Sequence, residues 1–552
     1  MPPLLRRPLI PIVGLGQFQT DLKCLPQAKL TANHPSIEFA QLPLQDKPFA
    51  ILTNRLSFAI FSVFSLLGSE EGASLTVDKE KFDKQLEDLL RKAPGDSLDR
   101  DVAAEYAPVL YLDENEPFLP IVAGYTVFHQ DGQSPSFRRV VRLKEPGMPE
   151  ASLAIEYTIW WDWDIGHLYE LEHVWVFVDS KGNVARVDAS WHGRYHTAIG
   201  KAIPRNKDGK VALFSQPGKH AMAFSQEEFQ HIRAYGDAVC RNLAGNGGVL
   251  ETRLFQGKLP KHPLADQLAR TYLKDKAFQP SWKFTRPYIM SREMLVPWSL
   301  LKNWIPGRVA LWISTLEKAF PPEKRKVMCI AYKGASESTL AAFDRAVNMG
   351  ADMVELDVRL NKDGKLMIHD VSLEHLLERL TKGTGVVKVH SEEELLAYLE
   401  EVFPWAKARV MGLYVKIKDP GADKVVANLV QRCRLQHHVI VGSFDRELVA
   451  GTKAAAPDVY TSILFRDLDV DPVSLAREVH ADFVHPCWEW TGERPDRYLT
   501  PEWIKRVHKA NLGVITWHEE RPNVITALKK LGVQGICSNR PDLVARDTSA
   551  SI

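Results

Sequence analysis

The chain has 552 residues, 70 of them lysine or arginine and 69 aspartate or glutamate. One hydrophobic core does not grow to that size, so two or more domains are expected. The near balance of charge excludes the basic surface of a nucleic-acid binder, and nucleic acid is set aside as a partner.

The N-terminus, MPPLLRRPLIPIVGLG, runs prolines through its apolar part and has no small-residue cleavage site, so no signal peptide is expected. The six cysteines, Cys24, Cys240, Cys329, Cys433, Cys487 and Cys537, show no pairing at zinc or disulfide-framework spacing. Both readings place the chain in the cytoplasm, with peripheral membrane contact as the alternative. Residues 56–67 (LSFAIFSVFSLL) form the most apolar run. That run is shorter than the ~20 residues a membrane-spanning helix needs, so it reads as a buried helix. The 14 tryptophans cluster at WWDW, between PSWKF and LWIS, and at CWEW. Large aromatic cores are the plain reading, and faces meeting an amphipathic partner the sharper one.

Residues 1–100 carry no motif beyond an amphipathic helix over 78–92, which APGDS ends. From residue 101 to 225 the texture is of short alternating strands (APVLYLD, LAIEYTIWW, EHVWVFVD, VARVDASW) parted by DG, KG and KDG turns. That pattern predicts an antiparallel β-sandwich. Residues 226–326 read as a helical connector containing Trp298, Trp304 and Trp312. Its last helix is expected to pack across the domain junction, with a lipid-facing helix as the alternative. From 327 to 546 eight strands alternate with helices, from VMCIAYKG and DMVELDVRL through to GVITWHE and GICSN. Eight such units in roughly 220 residues predict a closed parallel (β/α)8 barrel, with its site at the C-terminal strand ends.

The most informative stretch is MVELDVRLNKDGKLMIHD. Glu355 and Asp357, two apart on a strand, point to one face and can hold a divalent cation through oxygen. His369, ending the next short strand, is a candidate general acid or base. The chemistry suggested is metal-assisted cleavage of a phosphate ester.

Residues 327–546 resemble the glycerophosphodiester phosphodiesterases. The matches run in order through AYKG, ESTLAAF, GADMVELDVRLNKDG, MIHD, VKIKDP, GSFD, ITWHEE and GVQGICSNRPDL. The resemblance implies proton transfer by two histidines and a carboxylate cluster holding Mg²⁺ or Ca²⁺. It gives His369 the role of one histidine, and it makes Glu355, Asp357 and Glu337 the metal ligands. Lys418 is then a phosphate contact and Trp517 a pocket wall. Three positions depart from the pattern. Tyr332 and Lys333 stand where the family has histidine and arginine, and Lys416 replaces the third carboxylate. Tyrosine, with an unperturbed pKa of about 10, is a donor at neutral pH but a poor base.

Two carboxylates with one ammonium carry the same formal charge as three carboxylates with a divalent cation. Lys416 is therefore expected to fill the cation's place and neutralise Glu355 and Asp357 without metal. Lys333 and Lys418 would remain for a phosphate. The competing reading is an active hydrolase, with a cation on Glu355, Asp357 and Glu337 and with Tyr332 as donor.

The sandwich has its own constellation in DWDIGHLYELEHVWVFVD: Asp164, His167, Glu170 and Glu172. Glu170 and Glu172 share a strand face, and the loop with Asp164 and His167 can fold over them as a second candidate metal site. His192, His196 and His220 follow downstream, while His173 and His220 taken singly read as satisfied core histidines. GHLYELEH and SWHG resemble the metal-binding segments of Nep-like necrosis-inducing proteins, which implies a β-sandwich with a divalent cation near lipid head groups.

Three functional readings follow. The barrel binds a phosphodiester of a glycerol or lipid head group, with hydrolysis as its active form. Alternatively, the protein is a non-catalytic lipid-binding or membrane-surface protein with a disarmed barrel. In the third, the sandwich holds the working metal site.

Overall fold

The computed structural model describes residues 79–333, 340–361, 363–368, 399–409, 411–488 and 492–546. Helix α1, Lys79–Lys92, buries Phe82, Leu86, Leu89 and Leu90, the three-to-four spacing its periodicity predicts.

Two sheets follow. The larger is built from β2 (Val122–Phe128), β3 (Leu153–Trp163), β4 (His167–Val178), β5 (Val184–Trp191) and β6 (Arg194–Ile199), paired antiparallel in sequence order. The smaller contains β1 (Val109–Leu112), β7 (Ala212–Ser215) and β8 (Met222–Ala223). The purely antiparallel expectation does not hold. Strand β7 runs parallel to β1, and β9 (Gly248–Val249) runs parallel to β4. Strand β11 (Leu295–Pro297) runs parallel to β2. Parallel neighbours need long crossovers, so no turn residue beside a strand announces them.

The stretch expected as a helical connector supplies three of these strands: β9, β11 and β10 (Arg286–Ile289), the last paired to β1. Its helices include α2 (Pro263–Asp275) and α3 (Trp298–Ala319). Helix α3 buries Trp298, Leu301, Ile305, Arg308, Val309, Trp312 and Leu316 in the same core as α1 and β2, which is not a lipid-facing surface. Arg308 is completely buried and forks onto Asp162 of β3 at 2.9 and 2.7 Å, which fixes the helix on the sheet. Trp160, Trp161, Trp163 and Trp175 are all buried, as the aromatic-core reading expects.

The C-terminal region closes into a barrel of eight parallel strands. They are β12 (Met328–Tyr332), β13 (Met353–Leu360), β15 (Gly412–Ile417), β16 (Val439–Ser443), β17 (Tyr460–Phe465), β18 (Phe483–Pro486), β19 (Gly513–Thr516) and β20 (Gly535–Ser538). Closure is between β12 and β20. All eight are the strands expected from sequence. A short β14 (Leu366–Ile368) adds antiparallel to β13 across a tight turn, in which Asn361 Oδ1 accepts from the amides of Asp363 and Lys365.

Helix α2 lies against the N-terminal face of the barrel. Its Gln267 donates to the Val533 carbonyl (2.9 Å) and accepts from Gln534 (2.7 Å). The junction helix is therefore α2, while α3 belongs to the N-terminal core. Among the described residues, no helix is long and apolar enough to cross a membrane.

Candidate functional site

Strands β13 and β15 are in register, with Glu355 opposite Tyr414 and Asp357 opposite Lys416. The side chains of Glu355, Asp357 and Lys416 converge inside the barrel, each no more than 5% exposed. Lys416 Nζ stands 2.9 Å from Glu355 Oε1 and 2.7 Å from Asp357 Oδ1, and Lys418 Nζ stands 2.7 Å from Asp357 Oδ2. Trp517 closes over the ammonium, its ring centre 4.1 Å from Lys416 Nζ, and the Tyr332 ring lies 5.5 Å from it.

Burial alone would push the Asp357 carboxyl up, but Lys416 and Lys418 outweigh it and hold the group below the ordinary aspartate value. Burial would likewise pull Lys416 down, but Glu355 and Asp357 raise it well above an ordinary lysine. Asp357 and Lys416 are thus both held in their charged forms. The Lys416 ammonium lies between the Glu355 and Asp357 carboxylates, in the space a cation shared by them would take.

Beneath Lys416, Tyr414 bonds His485 Nδ1 at 2.8 Å, and burial first and then Lys416 push His485 well below the usual histidine range. Gly442 on the neighbouring strand leaves room for the Tyr414 ring, since a Cβ there would collide with it. Lys333, at the end of β12, has a left-handed backbone (φ 47°). His369 and Glu337 lie outside the described residues. The Tyr414–His485 pair gives no sequence signal, because isolated barrel-interior polar residues look like any other strand residue.

The second cluster sits where β3 turns into β4. Asp164 and His167 close a two-residue turn, with Gly166 N donating to Asp164 Oδ1 at 2.6 Å. His167 Nε2 stands 3.7 Å from Asp164 Oδ1 and 3.6 Å from Glu170 Oε2. One ligand atom from each of these three residues falls within 4.8 Å of the others. His167 Nδ1 lies 2.8 Å from the Tyr169 carbonyl, so Nδ1 donates and Nε2 carries the lone pair toward the carboxylates. Tyr169 is left-handed (φ 58°), which turns its carbonyl back to the ring. Asp164 Oδ2 is buried with no hydrogen-bond partner among the described residues.

Glu172 turns to Ser190, which donates to it, so it stands beside the triad rather than in it. Burial raises Glu170 far above the usual carboxyl range, helped by Glu172 and Asp164, and pushes Glu172 up to about 7. Lys219 Nζ, 2.6 Å from Asp164 Oδ1, outweighs burial and holds that carboxyl down. Sequence reasoning passed over Lys219, which stands next to the noted His220. His220 itself is buried, stacked on Trp161 and 3.5 Å from Glu116. His173 bonds Ser136 at 3.0 Å, so both are core histidines. Asp164, His167 and Glu170 offer the donor types that hold a divalent cation, and Lys219 now occupies Asp164 Oδ1 on the side that faces His167.

Eight parallel strands closed with charged groups inside their C-terminal ends make a (β/α)8-type barrel. The model of the glycerophosphoryl diester phosphodiesterase family matches residues 320–413 and 411–543, the barrel region of the chain. A glycerophosphodiester phosphodiesterase of Caldanaerobacter subterraneus subsp. tengcongensis is 28% identical over 244 residues, 39% of this chain and 96% of that protein. One of Bacillus altitudinis is 27% identical over 230 residues, 37% of this chain and 90% of its own length. The crystal structure of glycerophosphodiester phosphodiesterase from Agrobacterium tumefaciens is 26% identical, with a TM-score of 0.33, and covers 40% of this chain and 99% of its own.

Proposed function

We propose that the barrel binds the phosphodiester of a glycerol or lipid head group without a metal ion, Lys416 standing in the cation's place. The observation that carries the reading is the pair of contacts from Lys416 to Glu355 and Asp357. Lys418, 30% exposed and paired with Asp357, reaches the rim, where a phosphate would share its ammonium, and Lys333 follows β12 at the same end. Without the ion that generates or orients a nucleophile, and with Tyr332 where a general base is needed, hydrolysis is slow or absent. Calorimetric titration with a glycerophosphodiester in the presence of EDTA tests this. Binding persists without metal and weakens about tenfold in Lys418→Ala, in line with one lost charge-assisted contact. Binding that needs a divalent cation contradicts it.

A second reading rests on the sandwich. The lone pair of His167 Nε2 faces Asp164 and Glu170, a geometry that supports a divalent cation held by these three residues. A cation there would be a Lewis acid at the β3–β4 turn, and Lys219 would have to move off Asp164 to admit it.

A further inference from the structure

Lys418, Phe444 and Arg466 are each the first residue beyond a strand, β15, β16 and β17 in turn. Those strands are parallel neighbours, so the three residues stand in a row at the C-terminal mouth of the barrel. Phe444 is 36% exposed, and the Arg466 guanidinium lies over its ring, 4.2 Å from the centre. The same ring leans on Trp517 at 6.0 Å, and Trp517 covers Lys416 at 4.1 Å. A strip of rings therefore runs from the buried ammonium out to Arg466.

Arg466 is exposed, and among the described residues it makes neither a hydrogen bond nor an ion pair. Its neighbour Asp467 accepts from the Asp469 amide at 3.0 Å instead. The acids that follow β19 are engaged elsewhere, Glu519 with Arg521 and Glu520 with His518. An arginine held on a ring with its fork of donors open is preorganised for an anion. A quaternary ammonium, by contrast, is recognised by open aromatic faces. Trp517 and Phe444 each already carry one of the chain's own cations, which repel a choline group.

We propose that Arg466, held on Phe444, selects phosphodiesters whose alcohol bears a second phosphate. This selection rests on the metal-free binding proposed above, with Lys418 at the diester. Two strand spacings, roughly 10 Å, separate the backbones of Lys418 and Arg466. A diester and a monoester on opposite sides of a six-membered polyol ring bridge that span. The monoester adds about −1.5 to −2 of charge near pH 7, which the guanidinium meets with paired N–H donors.

The test is calorimetric titration of the full chain, in EDTA at low salt, with glycerophosphoinositol 4-phosphate, glycerophosphoinositol and glycerophosphocholine. The 4-phosphate is expected to bind about tenfold more tightly than glycerophosphoinositol, in line with one charge-assisted contact. Glycerophosphocholine binds most weakly. Arg466→Gln brings the 4-phosphate level with glycerophosphoinositol, and Arg466→Lys keeps part of the preference. Phe444→Leu, which removes the ring beneath the guanidinium, lowers the preference as well. Lys418→Ala weakens all three ligands and preserves their order. Equal binding of the three, or a preference that survives Arg466→Gln, overturns the selection and leaves the metal-free site standing. Binding of none of the three in EDTA removes that site, and the selection with it.

Discussion

Lys416 Nζ sits 2.7 Å from Asp357 Oδ1, on the strand next to it and at the same register position. The parallel pairing of β13 and β15 thus brings a cation against the carboxylates inside a space closed to water. Replacing Lys416 leaves Glu355 buried without its ammonium, while Asp357 keeps only Lys418. Lys416→Met is expected to destabilise the protein by about 3–5 kcal/mol, the range for breaking one side of a buried ion pair. Urea unfolding followed by tryptophan fluorescence measures it, and a change under 1 kcal/mol would show that the cluster is solvated.

The same cluster sets a pH window. Asp357 is lowered in the folded state, so its contribution is present above its unfolded value, near 4, and is lost as pH falls through the folded value. Lys416 is raised, so its contribution is present below about 10.4 and lost only as pH rises through the folded value. Stability from this pair is therefore flat across neutral pH and falls below about pH 4. The difference in unfolding free energy between the unmodified protein and Asp357→Asn, taken from pH 2 to 8, checks this.

Asp162 and Arg308 tie α3 to β3 with both groups buried. Asp162→Ala leaves the guanidinium unpaired and is expected to lower stability by about 3–5 kcal/mol. In the double variant Asp162→Leu with Arg308→Met, most of that loss returns, because no charge is left stranded. Thermal unfolding of the three variants distinguishes these outcomes.

If Asp164, His167 and Glu170 hold a divalent cation, Mn²⁺ or Zn²⁺ raises the melting temperature of the unmodified protein, through binding to the folded state alone. His167→Ala abolishes the shift. Lys219→Met enlarges it, because the competing ammonium is gone. A shift unaffected by His167→Ala places the ion elsewhere.

The barrel was legible because its strands are short, mostly apolar runs between helices, and burial on both faces leaves no ambiguity about where each sits. The ExD pair and Lys416 were legible for the same reason, since two-residue spacing on a buried strand fixes which side chains meet. The N-terminal sheets were legible only where short turns join neighbours. The pairing of Leu295–Pro297 with β2 crosses more than a hundred residues and leaves no local trace. Lys219 escaped notice for a similar reason, reaching Asp164 from a loop after four intervening strands. Lys418 was expected to face a phosphate and is found on Asp357, because nothing in its own strand shows that Asp357 has a second oxygen to offer.

The most direct test of Lys416 as the cation's replacement is hydrolysis of glycerophosphodiesters with EDTA, Mg²⁺, Ca²⁺ or Mn²⁺ by three forms: the unmodified protein, Lys416→Glu and His369→Ala. The account predicts no metal-dependent turnover by the unmodified protein. It predicts turnover gained with metal in Lys416→Glu, about 10²–10⁴-fold below a full active site because Tyr332 remains. Metal-dependent turnover by the unmodified protein, lost in His369→Ala, would contradict it.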